Sequence, residues 1–469
     1  MAILTFKKEW ALLWRDGRVK WSFIGLLLLA AISCWLGYRQ QAELAQIHEE
    51  STRQVRAQWE RQGDKNPHSA AHFGTYVFKP VSPLWFFDQG VDRFLGTTLF
   101  LEAHVQNDMT YKPVEDDTVL GRFASLSPAF LLTFFLPLLI ILVAHGALAA
   151  EREGGTWRMV RAYNRHFAAW FFGKWSAYAA LAGLLLLGVF AIAAVFLLLQ
   201  PEGGSYLPAL GALGLSYWLY ALVFLNFTCL FSAWSRQRAT ALVSSIAFWI
   251  IACFVVPKVT GIIAEQRYPT PTYSEFREAI EKDLQEGVDG HDPFNEAAEK
   301  LKQQTLEEHG VEDLADLPFN WAGFIMQRGE EHETTIYQTH LDRLKQTHQQ
   351  QNRLHRNLAV LSPTGLLQQL SMDLAGSGMA DYYRFKDEAE RYRIELVGEL
   401  NQDLTDNFKY GDWQGKRGAE YFATNVAFRY DLPDARERLR PQGGSFLLLL
   451  AWGLALWLIA FGAAKNSKV

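Results

Sequence analysis

Apolar residues in this chain gather into six long runs, Trp21–Tyr38, Leu126–Ala149, Ala168–Leu199, Leu207–Trp234, Thr240–Ala264 and Phe446–Ala464. Each is close to, or longer than, the roughly 20 residues a helix needs to cross a bilayer core. Between them lie short connections and two long polar stretches, residues 39–125 and 265–442, rich in Glu, Gln, Lys and Arg. The pattern predicts an all-α membrane protein with six transmembrane helices and two large insertions, the larger one mainly helical. Residues 1–20 precede the first run as an amphipathic segment. Ile3, Phe6, Trp10, Leu13 and Trp14 oppose Lys7, Lys8 and Arg15, as in an interfacial elbow helix. No small-x-small cleavage site follows the first run cleanly, so a removed signal peptide is not expected.

Bulk composition conceals this division. A net charge of −5, 20% charged residues and a mean hydropathy of −0.04 would suit a soluble protein, because they average two unlike populations. Charge placement orients the chain. Lys7, Lys8, Arg15, Arg18 and Lys20 begin it, Arg152, Arg158, Arg161 and Arg165 follow the second run, Arg236 and Arg238 follow the fourth, and Lys465 and Lys468 end it. These groups share one side only with six spans and both termini inside. Both long polar regions then fall outside an inner membrane, with the Lys- and Arg-free turn Pro201-Glu202-Gly203-Gly204. Trp21, Trp35, Tyr38, Trp170, Trp175, Tyr217 and Trp218 suit an interfacial belt, or equally plain lipid-facing bulk. Cys34, Cys229 and Cys253 all lie within spans, which leaves the outer regions without disulfides.

Within residues 265–442, Thr272-Tyr273-Ser274-Glu275 predicts a capping box opening a helix to about 286. Asp292-Pro293 predicts another start, with Gly310 as its stop. Long helices are expected over 321–358 and 380–408, making an elongated stalk or bundle. Leu361–Leu374 is amphipathic and suits either the membrane interface or a core helix. The 39–125 region begins as a polar extension of the first span and turns mixed and aromatic.

Two places carry candidate chemistry. Residues 150–167 form a break and a short basic helix at the inner face: Glu151, Glu153, Gly154, Gly155, Thr156, Trp157 and Arg158 suit a coupling element docking into an ATPase, or a plain helix–turn–helix connection. On the outer side, His68 and His72 are four residues apart and Glu102 and His104 two apart. Histidine and carboxylate at such spacing suit a transition metal, and ring-to-backbone hydrogen bonds account for the same histidines. His145, near the inner end of the second span, is an ionisable residue in a membrane helix. No nucleotide-binding loop is present: Gly411-Asp412-Trp413-Gln414-Gly415-Lys416-Arg417 has the wrong glycine spacing and no Ser or Thr after the lysine.

The amphipathic start, the first span with its large outer loop and the Glu-x-Glu-x-Gly-Thr string after the second span resemble the ABC-2 type permeases. Two outer strings are similar to those of permeases carrying the domain DUF3526. One is His68–Leu84 with Leu101–Asp108; the other is Leu361–Gly378 leading into Phe385–Arg393. The resemblance implies a transport subunit that is not itself an enzyme and holds no cofactor. Its partners would be a separate ABC ATPase in two copies, binding ATP and Mg, and a second permease chain, identical or paralogous. Membrane lipids and a periplasmic partner would complete the set, with no nucleic acid. It implies ATPase contact at Glu151, Glu153, Gly155 and Thr156. Two alternatives stand beside transport: a mechanotransmission device acting on a periplasmic partner, and a metal-handling protein using His68, His72, Glu102 and His104.

Overall fold

The first two helices are joined at Asp16, whose side chain accepts from the Arg18 amide. It thereby separates α1 (Ala2–Arg15) from α2 (Gly17–Glu60). The computed structural model describes residues 1–116, 126–163, 166–285, 287–289, 291–292, 295–358, 362–412 and 415–466. Arg165, Pro293, Leu361, Trp413, Gln414 and Lys468 of the sequence motifs lie outside the described residues. With no proline, and no glycine after Gly37, to stop it, α2 continues past its apolar run through the polar stretch. Its 44 residues span about 66 Å at 1.5 Å per residue.

The first insertion then folds as α3 (Pro67–Phe73) and a three-stranded antiparallel sheet. The strands are β1 (Thr75–Phe78), β2 (Thr98–Glu102) and β3 (Val105–Gln106), in that order across the sheet. Thr75 pairs with Leu101 and Glu102 with Val105. Gly74 ends α3 at φ +64°, and a Cβ there would lie 2.5 Å from the Phe100 ring and 2.6 Å from the Leu101 carbonyl oxygen. Only glycine meets both demands. Gly74→Ala is expected to destabilise the protein by about 1–3 kcal/mol, read as a lower apparent melting temperature; an unchanged melt would show that this close approach is dispensable.

The remaining apolar helices are α4 (Pro128–Ala144), α6 (Phe167–Leu198), α7 (Leu207–Trp234), α8 (Arg238–Arg267) and α14 (Gly443–Asn466), with the short α5 (Trp157–Tyr163) after α4. Among the described residues these and α2, α5 aside, make six helices long and apolar enough to cross a membrane, the helical membrane fold expected from the runs. α7 lies deep in the bundle: Leu213, Tyr217, Tyr220, Ala221 and Phe224 are fully buried or nearly so. Tyr217 therefore faces inward, not to an interface, and its hydroxyl meets Ser371 Oγ at 3.1 Å. α14 and α8 turn Leu447, Leu454, Leu458, Val243 and Ile251 outward, as lipid-facing helices do. α8 contains a π turn at Ile251–Val255, just before Pro257, whose missing N–H breaks the regular ladder. Ser362 Oγ donates to the Ala252 carbonyl inside that turn at 2.7 Å.

The larger insertion holds α9 (Tyr273–Leu284), α10 (Glu296–His309), α11 (Trp321–Leu358), α12 (Pro363–Ala375) and α13 (Met379–Asn407). The Thr272–Glu275 capping box forms on both sides. α10 starts later than Asp292-Pro293 suggests: Asn295 caps it, accepting from the Ala298 amide at 2.8 Å, and Gly310 ends it at φ +65°. Within the Leu361–Leu374 stretch, α12 packs against the spans, not within the core of the larger insertion. Leu366, Leu367, Leu370 and Leu374 are buried in the same apolar cluster as the spans.

Hydrogen bonds sort the connections to two ends. At one, Ser232 Oγ accepts from the amides of Leu148 and Ala149, and Arg152 donates to the Ser235 carbonyl. At the other, Gln41 donates to Gln200 and to the Ser82 carbonyl, and Tyr206 donates to the Pro433 carbonyl. Both polar insertions gather at this second end.

Candidate functional site

At the first end, α4 gives way to a helical turn, Ala149–Glu153, and Gly155 at φ +72° redirects the chain into α5. Trp157 anchors α5: it is buried against Trp170 and Phe167, with the Arg152 guanidinium 5.0 Å from its ring. The expected coupling residues divide by environment. Glu151 is committed internally, 2.9 Å from Lys174 Nζ of α6 and accepting from Thr156 Oγ1. Lys174 is buried and also lies 3.4 Å from Glu9 of α1, whose other oxygen accepts from Tyr178. One lysine thus ties together α1, α6 and the loop. Glu153 accepts from the Arg238 amide at 2.8 Å, joining the loop to the start of α8. Gly154, Gly155, Thr156, Arg158 and Met159 remain exposed. His145 turns its ring back on its own helix, donating to the carbonyls of Ile141 and Leu142.

At the second end the structure brings His68, His72 and His104 together and adds His291, from the connection between α9 and α10. Asn66 caps α3 by accepting from the His68 amide, with Pro67 in the first turn, so His68 and His72 fall on one helical face. His104 occupies the tight turn between β2 and β3 at φ +67°; its amide donates to Glu330 Oε2 at 2.7 Å. The Ala103 amide binds the Ala71 carbonyl and fastens that turn to α3. Glu102 does not join the group that could share an ion; its carboxylate accepts from Asn107 at 2.9 Å.

Behind the histidines, α11 and α13 form a polar wall. His68 Nδ1 donates to Asn401 Oδ1 at 2.9 Å, and Asn401 is held with its oxygen inward because its amide nitrogen donates to Gln327. His104 Nδ1 donates to Glu333 Oε2 at 2.5 Å. Arg393 is fully enclosed and fully used: it pairs with both oxygens of Glu390 at 2.8 and 3.0 Å, with Glu330, and with Thr334 and the Glu102 carbonyl. Burial pushes the His68 imidazole down to about 3. Burial and then the charge on His104 hold His72 and His291 below the ordinary histidine value. For His104 burial acts downward, but Glu333 overrides it and the ring is raised. Burial would lift the Glu330 carboxyl, yet the Arg393 guanidinium holds it below the usual range.

Six apolar helices under a polar, mainly helical superstructure define a multi-pass membrane protein. Residues 274–431 match the family model described as "Domain of unknown function (DUF3526)", from the first turn of α9 to beyond α13. Over 132 residues the chain is 30% identical to the probable ABC transporter permease protein NosY of Stutzerimonas stutzeri, covering 28% of this chain and 48% of that one. The chain spans about half the length of that curated relative. Part of the chain is thus similar to the DUF3526 domain and part to an ABC transporter permease.

Proposed function

We propose that this chain is the membrane subunit of an ABC-2 type transporter in a bacterial inner membrane, driven by a separate ATPase. Both termini and the loop after α4 face the cytoplasm, and both insertions face the periplasm. Two ATPase copies, which bind ATP and Mg, engage two permease chains, identical or paralogous. The observation that carries the reading is the loop itself: the exposed residues Thr156, Arg158 and Met159, presented at the start of a short helix that Trp157 and the Glu151–Lys174 pair clamp to the bundle. A rigidly mounted, solvent-facing helix can transmit a push.

The test uses the chain co-expressed with its ATPase. Arg158→Glu and Met159→Glu alter exposed side chains and should weaken the complex and its stimulated hydrolysis about tenfold, the loss of one contact worth roughly 1.4 kcal/mol. Co-purification and stimulation at wild-type levels in both variants would sink the assignment. Glu151 is a poorer probe, because changing it also strips Lys174 of a partner.

A specific feature supports mechanical output beside transport. α2 runs unbroken from its apolar half to Trp59, whose indole donates to the Phe422 carbonyl of the larger insertion at 3.2 Å. Movement of the first span would reach that insertion, and any periplasmic partner on it, without a hinge.

A further inference from the structure

His68, His72, His104 and His291 come from three separate stretches of chain, and we propose that they form a four-histidine site for a tetrahedral divalent cation such as Zn2+. The bound ion would fasten the first insertion to the DUF3526 domain. All six distances between ring centres are alike: 4.8, 5.3, 5.1, 5.1, 5.3 and 4.7 Å. Equal edges are the mark of a tetrahedron; a square-planar set would make two of the six about 1.4 times longer than the rest. The centre of such a tetrahedron lies about 3.1 Å from each ring centre, and a metal–nitrogen bond of roughly 2.0–2.1 Å plus the ring's radius of about 1.1 Å reaches the same point.

The nitrogens agree with the rings. Nε2 of His68 lies 3.1 Å from that of His72 and 3.3 Å from that of His291, which in turn is 3.0 Å from that of His104. Ligand nitrogens of a tetrahedral zinc sit about 3.3 Å apart. Shared protons would account for pairs of these contacts, with His72 donating to His68 and His291 to His104. Such pairing does not require all four rings to be equidistant.

The surroundings also suit an ion. Asn401 and Glu333 hold the protons of His68 and His104 on Nδ1, so both Nε2 lone pairs face the centre. This is how outer partners usually orient metal-binding imidazoles. Neutral nitrogen donors suit zinc and its neighbours, and the tetrahedral arrangement disfavours Cu2+ and Ni2+, which take square-planar or tetragonal sites. Four protein ligands leave no open position, so the ion would have a structural role, not a hydrolytic one. His68, His72 and His104 belong to the first insertion and His291 to the matched domain, so the ion would join the two.

The experiment takes the full chain, purified in detergent through a tag without histidines, stripped with chelator and then loaded with Zn2+ or Co2+ and desalted. One ion per chain is expected by elemental analysis, and the Co2+ form should show the intense visible bands of tetrahedral coordination. His291→Gln changes an exposed side chain and should keep wild-type helix content while retaining roughly tenfold less metal or below. The His68→Gln/His72→Gln double variant should do the same. No retained metal in the wild type, full retention in His291→Gln, or the weak bands of octahedral Co2+ would each overturn the proposal. The assay contains neither ATPase nor nucleotide, so its outcome is independent of the transport reading.

Discussion

Lys174→Met is expected to destabilise the protein by about 3–5 kcal/mol, because it leaves the Glu9 and Glu151 carboxylates enclosed beside each other with no cation. The damage should concentrate where that lysine acts. α1 crosses α6 so closely at Gly173 that a Cβ there would lie 2.3 Å from the Ala2 carbonyl oxygen, and Lys174 is the next residue. Losing it should free α1 and the loop after α4 together, read as a lower apparent melting temperature and faster proteolysis near residue 15. Adding Glu9→Gln and Glu151→Gln should restore most of the stability, since the penalty lies in the orphaned charges. A single variant that melts as the wild type does would show that the pair is solvated and carries little.

Arg393→Met is expected to lose a similar amount, about 3–5 kcal/mol, for the same reason at the other end: Glu330 and Glu390 would stay buried without their shared guanidinium. The pH dependence distinguishes this mechanism from a packing defect. In the wild type Arg393 holds Glu330 below its ordinary value, so that contribution is present above the unfolded carboxyl value of about 4.3 and fades as pH falls through the folded one. Without Arg393, burial lifts both carboxyls, and the folded state binds more protons than the unfolded one. The deficit should therefore shrink as pH is lowered from 7 toward 5. Melting curves of variant and wild type across that range check it; a constant deficit would mean that the loss is one of shape, not charge.

Much of the architecture is legible in the chain because its causes are local. An apolar run near twenty residues must be helical in lipid, where an unpaired backbone amide is unaffordable. The Thr272 capping box and the Gly310 stop are recognised from the residues that make their hydrogen bonds. α10 is the exception: Asp292-Pro293 and Asn295 are both good starts in sequence, and it is Asn295 whose side chain accepts the Ala298 amide.

The candidate sites were legible only in part. His68 and His72 share a face because a helix returns every four residues. Glu102 and His104 would share a face in a continuous strand, but the chain turns at His104 with φ +67°, and the two side chains part. His291 stands between acidic residues 187 positions beyond His104, with no spacing that marks it as a ligand. The loop after α4 shows the same limit. Its sequence announces a charged break, yet nothing in it shows that Glu151 faces inward to Lys174 while Arg158 faces out.

By itself, then, the sequence determined the six spans, the alternation of short and long connections and most helix boundaries, all consequences of hydrophobic length and short-range hydrogen bonding. Only the tertiary structure decided that four histidines from three stretches point at one centre, that Arg393 supports the wall behind them, and that one lysine joins α1 to the loop after α4. Those are meetings between residues far apart in the chain, and the packing of whole helices sets them.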